Sequence, residues 1–337
     1  SYSSTSALKK FDRFIFSNLR FCNGLGNQMH KIASLYGIGL HLNRTPGFDS
    51  NSECMRGYTK EFLDTFPNMM KLTEFHDLNN SDVTYSNFGT HDYKYDDPKI
   101  LHNIPEKYLV LHGFLFQSYK YFHYVKKEIR ELFDFHPKIK DTVEKYGMQL
   151  FGNDTESHKM CVHIRRGDFI SHRTLETKAD FLIPAMDTVR NFVSKKYPGK
   201  KISLVFLTTD WDFVDSLNFP KSDYLNIYRP QLNARAEDMY FGVRYCQSFL
   251  LSSSASTFGF WMAYLMPDGS PIFYNGQSGK DKVKDFLKSF VDYDIYPKEW
   301  NILQHDKKGN IVTIDNRWFF EKISYDQFLK NQNYIHL

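Results

Sequence analysis

The chain has 337 residues, room for two domains of roughly 100 to 200 residues each. Its 42% hydrophobic and 24% charged residues exclude a disordered or collagen-like chain. Lys and Arg number 43 against 39 Asp and Glu, a net +4 that is too small over this length to predict nucleic-acid or membrane-surface binding by field alone.

The chain opens SYSSTSALKKF, without Met and without an apolar signal core, so a targeting segment is expected to be missing. No run approaches the ~18 consecutive apolar residues of a membrane span; membrane attachment is expected only through a missing N-terminal anchor. From Phe14, FIFSNLRF reads as a strand, NGLGNQ as a glycine loop, and MHKIASLYGIGLHL as a helix with apolar residues at Met29, Ile32, Ala33, Leu35, Tyr36 and Ile38. Residues 45–105 are polar, aromatic and broken by TPG, FPNMM and DDPK, which predicts short mixed elements. YLVLHGFLFQSYKYF predicts a buried strand and then a helix, continued by KKEIRELFDF and stopped at His136 and Pro137.

After FGNDTESHK the rhythm changes to strands alternating with helices. The strands are KMCVHI, ISLVFLTTD, DYLNIYR, SFLLSSS and SPIFYN. The helices are ADFLIPAMDTVRNFVSKKY, DFVDSLNF, RAEDMYFGVRYC and STFGFWMAYLM. That alternation predicts a parallel sheet covered on both faces, a Rossmann-like domain over about 158–275. The fold class expected is α/β, with an N-terminal α/β domain over 1–155, a C-terminal Rossmann-like domain over 156–337, and a cleft between them. The last helices are candidates to cross back to the first domain. Ligands of such sheets sit beyond the carboxyl ends of the strands, where RRGD, TTD and SSSASTFG fall.

The four cysteines show neither CxxC pairing nor metal-ligand spacing. Cys161 and Cys246 read as buried thiols beside apolar strands; Cys22 and Cys54 are available for a bridge if the compartment oxidises. Three Asn-x-Ser/Thr sequences, at Asn43, Asn79 and Asn153, favour a secretory setting.

Arg165 and Arg166 follow a strand end and precede Gly167, which lets backbone approach a ligand. Their planar forks suit a phosphate, or else one of them pairs with Asp168 or a core carboxylate. SSSASTFGFW offers hydroxyls and first-turn amides at a helix start, an anion site or an ordinary N-cap. Two anion sites on one sheet edge together suit a diphosphate. GLGNQ, Gly24 to Gln28, lacks GxGxxG spacing, which disfavours a nicotinamide cofactor. Asn27 and Gln28 there suit sugar hydroxyls or a capped turn. Asp238 reads as a first-turn acid or as an acceptor for a guanine edge. HDYKYDDPK, around Asp92, reads as a solvated loop, and WDFVDS has no DxD pattern, so no metal site is expected.

Taken together, GLGNQM, GFLFQSYKYF, HIRRGDF, EDMY and STFGFW resemble the α-1,2-fucosyltransferases of glycosyltransferase family 11, in matching order from Phe21 to about Trp261. HxRRGD is shared in looser form with α-1,6- and protein O-fucosyltransferases. The resemblance implies a GT-B fold and inverting transfer of L-fucose from GDP-fucose to the 2-OH of a terminal β-galactoside, without a metal or other cofactor. It implies a lumenal Golgi catalytic domain if the source is eukaryotic, and the cytosol if bacterial. By that analogy His163 contacts guanine or ribose, Arg165 holds the diphosphate, Arg166 and Asp168 brace the loop, and Asp238 reads the guanine amino edge. Ser256, Thr257 and Phe258 complete the phosphate site, while Gly24, Gly26, Asn27 and Gln28 serve the fucose and the acceptor. Arg165, Asn27 and Asp168 are the expected catalytic group. The chain departs from the family at His30 and Lys31, which replace an apolar-aromatic pair, and by about two extra residues in SSSASTFG. A core-type or protein O-fucosyltransferase and a non-catalytic carbohydrate-binding protein are the alternative readings.

Overall fold

The computed structural model describes residues 8–17, 24–52, 60–72, 74–171, 175–276, 291–305 and 312–318. Cys22 and Cys54 lie outside them. The chain divides into two compact units, Ser1–His136 with Ser289–Pro297, and Pro137–Lys288 with Lys298–Leu337. The helix Pro137–Phe151, which a boundary at 155 assigns to the first domain, thus belongs to the second unit.

In the first unit, β1 (Phe14–Ser17) leads into α1 (Leu25–Leu42), and β2 (Thr45–Pro46) returns beside β1. Strands β3 (Phe48–Asp49) and β4 (Phe75–His76) form a separate parallel pair. With β5 (Val83–Ser86) and β6 (Tyr108–Leu111), the main sheet is parallel throughout in the order β2-β1-β6-β5. The glycine segment differs from the expected loop: α1 starts at Leu25, so Gly26, Asn27 and Gln28 form its first turn, with Asn27 and Gln28 donating to the Gly24 carbonyl.

The helix expected after β6 also differs. Two 3₁₀ turns lead to α2 (Lys126–Leu132), and Pro137 opens the next helix rather than ending the last. A proline at the first helical position loses no hydrogen bond, because that amide has no intrahelical acceptor. Nor is HDYKYDDPK simply solvated. Asp92 is half-buried and accepts from the amides of Leu115 and, through its carbonyl, Gln117. The short helix Asp292–Ile295 holds the same region, since Asp294 accepts from the Tyr95 amide at 2.9 Å and from Lys120 at 2.5 Å.

In the second unit, α3 (Pro137–Phe151) precedes β7 (His158–His163), α4 (Asp168–Ser171), α5 (Ala179–Lys196), β8 (Ile202–Leu207), α6 (Trp211–Ser216), β9 (Ile227–Tyr228), α7 (Arg235–Tyr245), β10 (Ser248–Leu251), α8 (Thr257–Leu265), β11 (Ile272–Asn275), β12 (Asn301–His305) and β13 (Val312–Ile314). The sheet order is β13-β12-β11-β10-β7-β8-β9, parallel except for edge strand β13. Every residue of β7, β8 and β10 is buried, as befits central strands covered on both faces. Val162, Leu204, Phe206 and Leu250 meet Leu182, Met186 and Val189 of α5 in one core. Burying each such side chain contributes about 1.5–3 kcal/mol.

Cys161 and Cys246 are not thiols; they form a disulfide with Cα atoms 5.5 Å apart. The chain leaving α7 turns at Cys246 into β10, and β10 pairs with β7 so that Phe249 stands opposite Cys161. That pairing brings together cysteines 85 residues apart. No helix among the described residues is long and apolar enough to cross a membrane.

Candidate active site at the sheet edge of the second unit

The carboxyl ends of β7 and β8, with parts of α7 and α8, enclose a cavity of about 600 Å³. His163, Arg165, Arg166, Asp168, Asp238 and Phe258 all line it, together with Thr208, Thr209 and Asp210 from the end of β8.

The turn from β7 into α4 passes through Gly167 at φ +50°, the left-handed region in which a side chain is strained. The two arginines before it differ in what they hold. Arg166 donates from Nε to Asp210 at 3.1 Å and from Nη1 to the Thr177 carbonyl at 2.8 Å. Its guanidinium also lies 4.2 Å from the Phe213 ring centre and 3.6 Å from Glu176. Arg165 is more exposed and pairs at 2.9 Å with Asp168, three residues on, while its buried Nε has no hydrogen-bond partner. Asp168 therefore meets Arg165, not Arg166. An exposed pair of this kind contributes about 0–1 kcal/mol, so an anion that competes for Arg165 displaces it at small cost.

Thr177 holds the turn in place. It accepts from the Arg165 amide through Oγ1 at 3.1 Å, donates its own amide to the Arg165 carbonyl at 3.0 Å, and meets Ser252 Oγ at 2.8 Å. The sequence carries no signal for this role, because nothing in the composition of LETKAD marks Thr177. Asp210 sits in a strand-end cluster that the sequence does mark. It caps α6 by accepting from the Phe213 amide at 3.0 Å, so one carboxylate starts a helix and holds Arg166.

His163, the last residue of β7, is buried with its Nδ1 unpartnered. Burial, reinforced by the Arg165 charge, lowers its pKa to about 3, so the imidazole is neutral. A Cβ at Gly259 would stand 2.7 Å from His163 Nδ1, so only glycine lets α8 approach this ring. Asp238, in the first turn of α7, has its pKa raised to about 6 by burial and then by neighbouring Glu237. It is a desolvated carboxyl facing the cavity.

The serines before α8 are mostly structural. Ser252 donates to the His163 carbonyl at 2.6 Å, Ser253 to that of Leu175 at 2.6 Å and Ser254 to that of Asn275 at 2.7 Å. Ser256 is the N-cap of α8 and accepts from the Gly259 amide at 3.3 Å. That cap leaves the first-turn amides of Thr257 and Phe258 for a ligand; Phe258 lines the cavity, while Ser256 and Thr257 are not among its walls.

The other expected site residues belong to the first unit. Gly24 is the exposed N-cap of α1, and Gly26 and Gln28 are buried in its first turn. Asn27 accepts from Gln117 Nε2 at 3.0 Å. His30, one of the two departures from the family pattern, is packed: its ring meets Phe122, its Nδ1 lies 3.1 Å from the Gly26 carbonyl, and burial lowers its pKa to about 3. Lys31 is buried with Nζ 4.3 Å from the Phe114 ring centre, and burial, opposed by Asp92, lowers its pKa to about 8. Among the described residues no group of three or more His, Cys, Asp or Glu could hold a metal ion.

A family model described as glycosyl transferase family 11 matches residues 15–304. The chain is 30% identical over 298 residues to a galactoside 2-alpha-L-fucosyltransferase of Caenorhabditis elegans, covering 86% of this chain and 79% of that protein. It is 25% identical over 294 residues to the galactoside alpha-(1,2)-fucosyltransferase 2 of Pongo pygmaeus, covering 84% and 77%. Among solved structures, the fucosyltransferase NodZ from Bradyrhizobium aligns with a TM-score of 0.50 at 13% identity, over 90% of this chain and 98% of that one. At that identity the likeness is one of fold, and the two α/β units with parallel sheets are of the GT-B class.

Proposed function

This chain belongs to glycosyl transferase family 11 and is a glycosyltransferase, and on that premise we propose that it transfers L-fucose from GDP-fucose to the 2-OH of a terminal β-galactoside, with inversion and without a metal. The observation that carries the reading is the contrast between two adjacent arginines: Arg166 is consumed by Asp210, Thr177 and Phe213, while Arg165 faces the cavity on a pair that breaks cheaply. NodZ, of the same fold, has been crystallised with GDP. The galactoside acceptor is favoured by the names of the relatives at 30% and 25% identity.

In the proposed reaction the acceptor O2 attacks C1 of fucose, the bond from C1 to the β-phosphate oxygen breaks to release GDP, and the O2 proton passes to solvent. Negative charge grows on the β-phosphate as that bond breaks. Arg165 and the first-turn amides of α8, already in place before the reaction begins, stabilise this charge as it develops. Asp168 is a positioning residue that holds Arg165 until the diphosphate takes its place. The Asp238 carboxylate accepts from the guanine N–H groups, and neutral His163 meets the nucleoside without repelling Arg165. In the first unit, the locked Asn27–Gln117 amide pair offers donors and acceptors suited to sugar hydroxyls. The disulfide supports an oxidising, lumenal compartment.

The test is turnover of GDP-fucose in EDTA across lactose, N-acetyllactosamine and glycoprotein acceptors, with the product linkage read by NMR. An α-1,2 product on a galactoside in EDTA is expected. Transfer only to a core sugar or to a protein hydroxyl overturns the acceptor assignment, and dependence on an added divalent ion overturns metal independence.

A further inference from the structure

The amino end of β7 carries a second built feature. Between α3 and β7 the chain runs Asn153-Asp154-Thr155, with Asn153 and Thr155 exposed. Asp154 between them is held inward. Its carboxylate accepts from Ser203 at 2.7 Å, Tyr228 at 2.9 Å and Asn226 at 3.1 Å, and lies 3.2 Å from the buried Lys159 ammonium. The Thr155 amide donates to the Asn153 carbonyl at 3.0 Å, closing a tight turn. Anchoring the middle residue turns both neighbours out.

Asn153 itself forms part of the wall of an open groove of about 710 Å³, whose other walls include Pro198, Gly199, Leu225 and Asn226. Leu225 is 52% exposed there, a large apolar side chain with a polar amide beside it. Such a surface suits a sugar ring, which presents C–H groups on one face and hydroxyls at its rim. The groove and the candidate active site lie at opposite ends of strand β7, about 20 Å of extended chain apart. A group attached at Asn153 therefore leaves that cavity open. The disulfide of this unit needs an oxidising compartment, the one in which Asn-x-Thr sequences meet oligosaccharide donors.

We propose that Asn153 carries an N-linked glycan whose first N-acetylhexosamine lies in this groove against Leu225. In the transfer, Asn153 Nδ2 displaces the pyrophosphoryl lipid of a lipid-linked oligosaccharide: the N–C1 bond forms, the C1–O bond to phosphate breaks, the lipid pyrophosphate leaves, and the amide loses one proton. Folding then seats the sugar.

The experiment is expression of the chain through a eukaryotic secretory pathway, followed by mass spectrometry of the Asn153 peptide before and after enzymatic glycan release in ¹⁸O water. Release is expected to convert most copies of Asn153 to labelled Asp, and Thr155→Ala is expected to abolish the modification while leaving Asp154 in place. An Asn153 peptide recovered mostly unmodified, with the Cys161–Cys246 bridge intact in the same digest, overturns the site. The seat has its own readout. Protein trimmed to a single sugar is expected to melt with the untreated form, and Asn153→Gln and Thr155→Ala about 2–4 °C lower. In a Leu225→Ser background that difference is expected to vanish. Equal melting of glycosylated and unglycosylated protein overturns the seat while leaving the site standing.

Discussion

Asp238 offers a direct test of donor binding through pH. In the free protein its pKa is raised to about 6 by burial and by Glu237, while only the carboxylate accepts from two guanine N–H groups. Binding therefore releases a proton, and affinity rises as pH rises through 6. If only the deprotonated form binds, the dissociation constant scales as one plus the ratio of protonated to deprotonated Asp238. That factor is about 11 at pH 5 and about 1.1 at pH 7, a weakening of roughly tenfold over two pH units. GDP-fucose is the suitable ligand, because its doubly esterified diphosphate has no proton to lose over that range. Calorimetric titration at pH 5, 6 and 7 should show the tenfold change. Asp238→Asn should flatten the profile and weaken binding at pH 7 by about 10- to 150-fold, the equivalent of about 1.5–3 kcal/mol for hydrogen bonds to a charged group. Wild-type affinity that is level from pH 5 to 7, with Asp238→Asn binding normally, would refute the guanine contact.

The arginines should separate by assay. Arg165→Ala is expected to lower turnover by about 10²–10³ with little change in melting temperature, because the group lost is aimed at the ligand and its own pair is worth little. Arg166→Ala is expected to cost about 2–3 kcal/mol of stability in denaturant titration, since it strands Asp210 and the Thr177 carbonyl. Reduction of Cys161–Cys246, or Cys246→Ser, should lower stability by about 4–5 kcal/mol by releasing a constraint across 85 residues of unfolded chain, measured by calorimetry with and without reductant. Burial alone would raise the Asp154 carboxyl, but hydrogen bonds from Ser157, Ser203, Asn226 and Tyr228 outweigh it and hold the group below its ordinary value of 3.8. Its contribution is thus present above that value and lost in acid. Asp154→Asn, which leaves Lys159 buried without a counter-charge, should cost about 3–5 kcal/mol at neutral pH.

Local sequence determined the elements with strong apolar runs. ISLVFL and KMCVHI are strands because a short, mostly apolar segment bounded by turn residues buries both faces at the centre of a parallel sheet, with its few polar members, Ser203, Lys159 and His163, buried as well. The same rule placed RRGD and TTD at the carboxyl edge, where both line one cavity. Glycine-rich GLGNQ misled as a loop because α1 begins inside it, and Pro137 misled as a stop because a proline also suits the first position of a helix.

Tertiary structure alone decided the partners. Cys246 meets Cys161 through the β7–β10 pairing, Arg166 meets Asp210 across neighbouring strand ends, and buried Thr177 clamps the arginine turn. Each contact joins residues 11 to 85 positions apart. Spacing along the chain carries no information about such pairs until strand order and register bring them within reach.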